Sequence, residues 1–206
     1  MEHAAEKKKR MTLTDQMRVR FKGILDKIGG FLNGFGLMPN TMTIMGLVGN
    51  AIGAYFLARG QMTVGGILIL LVGPIDALDG TMARLRGEAS EFGAFVDSVT
   101  DRYSELVIFA GLLYHFVAQQ DLLATMLVFF AAAGSVLVSY ARARAQSLGY
   151  ETKIGILTRL ERYLVLAPSL VFNIPVLGLW IIAIFANLTA LQRIWDVRRQ
   201  VYENKD

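Results

Sequence analysis

Six apolar runs, at about residues 41–58, 62–83, 94–118, 122–142, 158–173 and 175–195, divide this chain of 206 residues. A helix that crosses the ~30 Å hydrocarbon core of a bilayer needs about 17–25 such residues, and in that core every backbone N–H and C=O must find an internal partner. The runs meet this length, the fifth only just, before it passes into the sixth through Asn173-Ile174-Pro175. The expected fold is therefore all-α, an integral membrane bundle of six transmembrane helices. A composition of 54% hydrophobic and 18% charged residues excludes an ordinary soluble domain. With no cysteine, disulfides and thiolate metal sites are excluded as well. The first thirty residues lack the apolar core and cleavage site of a signal peptide and are expected to stay on the mature protein.

Charge gives the orientation. Residues 1–40 hold eight Lys or Arg, the stretch 142–162 holds five and the tail after 190 holds four, with Arg84 and Arg86 in a further link. The opposite links carry only Arg59. Basic loops stay in the cytoplasm, so both termini and the Leu85–Phe92 link are expected there, which requires an even number of spans. Ahead of the first span, Leu13, Met17, Phe21, Ile24, Leu25, Ile28 and Phe31 recur at helical spacing among Arg18, Arg20, Lys22 and Lys27. This reads as an amphipathic helix, either lying at the membrane interface or packing on the cytoplasmic side. Lys7–Arg10 reads as a charged tail that helps set topology.

Four acids stand at the edges of apolar runs. Asp76 and Asp79 are three residues apart and Asp97 and Asp101 four apart, so on two helices each pair shares one face. Ionised acids inside a membrane are costly and are retained for function, and a divalent cation held by oxygen ligands would compensate them. With their neighbours they form the pattern D-x2-D-G-x2-A-R-x8-G-x3-D-x3-D, built from Asp76, Asp79, Gly80, Ala83, Arg84, Gly93, Asp97 and Asp101. This resembles the signature of the CDP-alcohol phosphotransferases, membrane enzymes that move a substituted phosphate from a CDP-linked donor to an alcohol.

The resemblance implies a division of labour. Asp76, Asp79 and Asp97 would be metal ligands, and Asp101 would both touch a second ion and take the acceptor's proton. Mg²⁺ or Mn²⁺, as two ions in the sense of the two-metal clamp, would suit oxygen ligands with phosphate co-ligands. Gly80 would let a nucleotide approach the backbone, Ala83 would do the same one turn on, and Arg84 would fork onto the pyrophosphate. Ser90 and the mouth of the first span, Pro39, Asn40, Thr41 and Met42, would also meet the CDP-lipid. Pro39-Asn40-Thr41 reads equally as a helix start with a capping Asn or Thr, and both roles can hold together. Residues 1–35 would then be tail and amphipathic helix, 36–196 the catalytic domain and 197–206 a cytoplasmic tail. A homodimer is implied too, and Gly46, Gly49 and Gly53 permit close helix packing.

For the acceptor, the second basic cluster is informative. Arg142, Arg144, Lys153, Arg159 and Arg162 would gather near the acids, as a phosphorylated alcohol requires. The run Ser139-Tyr140-Ala141-Arg142-Ala143-Arg144-Ala145 and the later Arg159, Glu161 and Arg162 resemble prokaryotic phosphatidylinositol phosphate and archaetidylinositol phosphate synthases. That favours inositol 1-phosphate over glycerol 3-phosphate, the acceptor of the related phosphatidylglycerophosphate synthases. Positive-inside topology alone accounts for part of this cluster. A cation transporter would place its acids near mid-membrane within repeated halves, and no repeat is evident. A membrane prenyltransferase would carry a second acid-rich motif, whereas Asp121 stands alone.

Overall fold

Proline and glycine punctuate the helices. The structure, a computed structural model, describes residues 13–203. Lys7–Arg10 and residues 204–206 lie outside the described residues, as do the side chains of Arg18, Asp76 and a few neighbours. The described chain forms α1 (Leu13–Gly34), α2 (Pro39–Ala58), α3 (Met62–Val72), a 3-10 turn (Gly73–Ile75), α4 (Asp76–Arg86), α5 (Glu91–Ala118), α6 (Leu122–Ser147), α7 (Arg159–Val171) and α8 (Pro175–Glu203). Pro39 and Pro175 open their helices, where a missing N–H costs nothing. Gly87 ends α4 with φ +68°, and the N–H groups of Gly87 and Glu88 return to the carbonyls of Arg84 and Ala83 at 3.2 and 3.0 Å. That left-handed closure suits glycine.

Each of the six apolar runs is helical, but six membrane crossings are not what the structure supports. Four helical stretches are long and apolar enough to cross: Pro39–Ala58, Met62–Arg86 taken through the 3-10 turn, Leu122–Ser147 and Pro175–Glu203. The third predicted span, α5, has the length at 28 residues, yet Glu91, Asp97, Asp101, Arg102 and Glu105 make the part up to Glu105 polar. The fifth, α7, has 13 residues and rises only about 20 Å. Apolar length marked both segments as membrane spans; both are helices, but one is too charged and the other too short to be counted as a crossing.

Around a common core, α6 packs along α8, α2 lies against α3 and α5, and α3 meets α7. Leu57, Ile69, Phe109, Leu112, Ala131, Leu170, Leu179 and Ile182 are among its buried side chains. Small residues allow the close approaches. A Cβ on Gly65 would lie 2.8 Å from the Gly53 carbonyl oxygen, and one on Gly53 would lie 2.8 Å from Ile69. A Cβ on Gly49 would likewise strike Val72. Gly49 and Gly53 therefore serve the α2–α3 contact inside one chain.

One face of α1 packs and the other remains apolar and exposed. Leu25 and Leu32 join Met42, Leu78 and Met82 in a second small core. Asn33 donates to the Met82 carbonyl at 3.2 Å and accepts from Arg86 Nε at 2.7 Å, while Arg86 Nη2 donates to the Leu37 carbonyl at 2.7 Å. Val19, Ile24, Phe31 and Phe35 stay exposed, as expected of a helix seated at a membrane surface.

Candidate active site

The α4 acids are set by a helix that starts at the 3-10 turn and packs on α2. Asp79 is 5% exposed; its Oδ2 accepts from Thr43 Oγ1 at 2.7 Å, and its Oδ1 accepts from the Gly80 N–H. Thr43 follows Pro39-Asn40-Thr41-Met42, so this hydrogen bond brings the mouth of α2 to the acid helix. Met42 is buried against Leu78 and Met82, whereas Asn40 and Thr41 are exposed. The helix is not capped by Asn40 or Thr41: Met38 is the N-cap residue and makes no side-chain capping bond. Pro39 at the first position has no N–H to satisfy, which lessens the need for one.

Above Gly80 there is room. A Cβ there would meet only Arg84 Nη1, at 3.7 Å. Arg84 is exposed and donates from Nη2 to Thr81 Oγ1 at 3.0 Å, so a guanidinium stands beside an open stretch of backbone. Ser90 is the N-cap of α5, its Oγ accepting from the Gly93 N–H at 3.0 Å. Sequence reasoning gave Ser90 to the ligand; the structure gives it a capping bond that also explains the motif's Gly93, whose added Cβ would crowd Ser90 Oγ at 3.1 Å.

On α5, Asp97 is half-buried and Asp101 is 9% exposed. Arg159 Nη1, at the start of α7, lies 2.5 Å from Asp101 Oδ2, with Arg102 Nη1 at 3.8 Å from the same oxygen. The basic cluster thus reaches the acid motif through a direct ion pair. One turn along both helices, Arg162, 2% exposed, places Nε 2.7 Å and Nη2 2.9 Å from the two carboxylate oxygens of Glu105, and Nη1 donates to the Leu157 carbonyl at 3.4 Å. The remaining cations sit further out. Arg142 and Arg144 are exposed, and Lys153 pairs with Glu151 at 2.9 Å.

The segment between α6 and α7 is pinned to α8. Arg193, 3% exposed, donates to the carbonyls of Ile154 and Val138 at 3.0 and 2.6 Å. Thr189 Oγ1 accepts from the N–H groups of Ile156 and Leu157 at 3.1 and 3.0 Å and donates to the Phe185 carbonyl at 2.7 Å. Thr43, Glu105, Thr189 and Arg193 escaped sequence reasoning. Only Glu105 left a signal: it extends the Asp97-Asp101 spacing by a further four residues on one helical face.

Carboxylates are the donors a hard divalent cation prefers, and Asp79 and Asp101 are both buried. The donor chemistry fits Mg²⁺ or Mn²⁺. Among the described residues, no group of three His, Cys, Asp or Glu side chains is placed to hold a metal ion, and the side chain of Asp76 lies outside them.

Residues 36–192 match the model of the CDP-alcohol phosphatidyltransferase family. The chain belongs to this family. It is accordingly a transferase and an integral membrane protein. It is 34% identical over 192 residues to the archaetidylinositol phosphate synthase of Pyrococcus horikoshii, covering 92% of this chain and 98% of that one. It is also 34% identical to the phosphatidylinositol phosphate synthase of Streptomyces avermitilis, covering 93% and 84% of the two chains. Its fold is similar to the crystal structure of Mycobacterium tuberculosis phosphatidylinositol phosphate synthase with CDP-DAG bound: TM-score 0.78, 28% identity, covering 84% of this chain and 93% of that one. The same mycobacterial enzyme has been crystallised with manganese and citrate, at TM-score 0.77 and 28% identity to this chain, covering 84% of this chain and 88% of that one.

Proposed function

We propose that this transferase moves the phosphatidyl group of CDP-diacylglycerol to inositol 1-phosphate and releases CMP. The observation that carries this reading is the Arg159–Asp101 pair, which sets a cation suited to an acceptor phosphate against the proposed base. Catalytic residues 36–196, with both termini cytoplasmic, would form a homodimer in a prokaryotic cell membrane. Asp76, Asp79, Asp97 and Asp101 would hold Mg²⁺ or Mn²⁺, as two ions. Bound there, the ions would neutralise pyrophosphate charge.

The residues of the chain do the rest. Gly80 and Ala83 leave the donor's nucleotide room beside the backbone, Arg84 forks onto its pyrophosphate, and Pro39, Asn40, Thr41, Met42 and Ser90 border that space. Arg159 orients the acceptor phosphate, with Arg142, Arg144 and Lys153 drawing it in, and Arg162 supports Arg159 from the buried turn behind it. Asp101 takes the proton of the acceptor hydroxyl. The oxygen attacks the lipid-bearing phosphorus, the bond from that phosphorus to the bridging oxygen breaks, and CMP departs with the electron pair, its charge met by Arg84.

An acceptor panel tests the reading. Purified protein with labelled CDP-diacylglycerol and Mn²⁺ is offered inositol 1-phosphate, glycerol 3-phosphate, inositol or serine separately. Lipid product is expected with inositol 1-phosphate alone. Product with glycerol 3-phosphate instead would move the chain to the phosphatidylglycerophosphate synthases, and product with inositol or serine would remove the role given to Arg159.

A further inference from the structure

Pro74 sits in the 3-10 turn that joins α3 to α4, two residues before Asp76. Having no N–H, it cannot donate to the Leu70 carbonyl, its partner in helical register. The Ile69 carbonyl keeps a partner, the N–H of Gly73. Leu70 lies about 12 Å into the apolar Met62–Arg86 stretch, where no bulk water replaces a lost partner. The hydroxyl of Tyr163, on α7, lies 2.9 Å from the Leu70 carbonyl oxygen and 3.0 Å from that of Ile69. Gly73 completes the arrangement, because a Cβ at that position would occupy the space of the Tyr163 hydroxyl.

The same short helix also holds α5. Arg159 meets Asp101 and Arg162 grips Glu105, while Tyr163, the next residue, holds the bend from which the Asp76–Asp79 helix departs. One rigid turn of α7 therefore spans both halves of the acid motif. We propose that Tyr163 is a positioning residue for the cation site: its hydroxyl covers the carbonyl freed by Pro74, fixes the angle at which α4 leaves α3, and so sets the separation of the α4 and α5 carboxylates. This rests on the metal-dependent reading given above and assigns a determinant of metal affinity outside the acids themselves.

The test uses the full chain in detergent micelles or nanodiscs and follows Mn²⁺ binding by calorimetry and by Mn²⁺-induced thermal stabilisation. Tyr163→Phe is expected to weaken Mn²⁺ binding about tenfold, the usual scale for losing a group that orients metal ligands. At saturating Mn²⁺, acceptor KM should stay within about twofold of the parent value, because the acceptor cations do not depend on the bend. Unchanged Mn²⁺ affinity in a folded Tyr163→Phe protein would overturn the inference, as would a raised acceptor KM with metal binding intact. A second comparison needs no activity. Pro74→Ala returns an N–H to the Leu70 carbonyl, so Tyr163→Phe should lower the melting temperature less in that background than in the parent; an equal loss in both would overturn the inference. If the parent protein itself binds no Mn²⁺, the metal-dependent reading falls and takes this inference with it, whereas binding by the parent with no effect of Tyr163→Phe sinks the inference alone.

Discussion

Asp101→Asn is expected to lower turnover by about a thousandfold, the scale on which a positioned general base contributes. CDP-lipid binding should change little, since the proposed donor contacts lie on α4, at Ser90 and at the mouth of α2. The substitution keeps the shape of a side chain that is 9% exposed and removes its ability to take a proton. It also removes the charge that Arg159 meets at 2.5 Å, so acceptor affinity should hold or improve as that guanidinium is released. Steady-state CMP release, paired with binding of a non-reactive CDP-lipid analogue, separates the two effects. Turnover near the parent value would refute the base assignment, and loss of donor binding in step with turnover would make Asp101 a donor or metal ligand only. Asp76→Asn should behave in the opposite way, weakening Mn²⁺ and donor binding together.

Breaking the Arg162–Glu105 pair is expected to have the largest effect on stability. The guanidinium is 2% exposed and is held through two nitrogens by both oxygens of Glu105. Glu105→Ala would strand a buried cation, a loss of about 3–5 kcal/mol. For a chain of this length that corresponds to a fall of about 10 °C in apparent melting temperature. Replacing both partners, as Glu105→Leu with Arg162→Met, should recover most of the loss, because a well-packed apolar pair avoids the desolvation cost of two ions. Activity should not recover with it if Arg162 supports Arg159 at the acceptor. A drop below about 2 °C for Glu105→Ala would show that the pair is solvated and weak.

The family was legible in the chain because its signature depends on spacing. Helical register puts Asp76 with Asp79 and Asp97 with Asp101 whatever surrounds them. Helix positions were legible for a related reason: long apolar runs bounded by Pro39, Gly60, Gly87 and Pro175 leave the backbone few alternatives. The crossing count was not, since an apolar run fixes neither the length of the helix it forms nor the charge carried within that helix. α5 and α7 are the cases in point, one carrying five charged residues between Glu91 and Glu105 and the other too short to span.

By itself the sequence determined that the protein is helical, membrane-embedded and built around a fixed pattern of aspartates, because apolar length and residue spacing are local properties. The tertiary structure alone decided which groups meet: Thr43 with Asp79, Arg159 with Asp101, Arg162 with Glu105 and Tyr163 with the carbonyl that Pro74 leaves open. These partners are separated by tens of residues. Their encounter depends on how helices cross, and crossing is set by the small residues and side-chain shapes at every contact together, which no local pattern encodes.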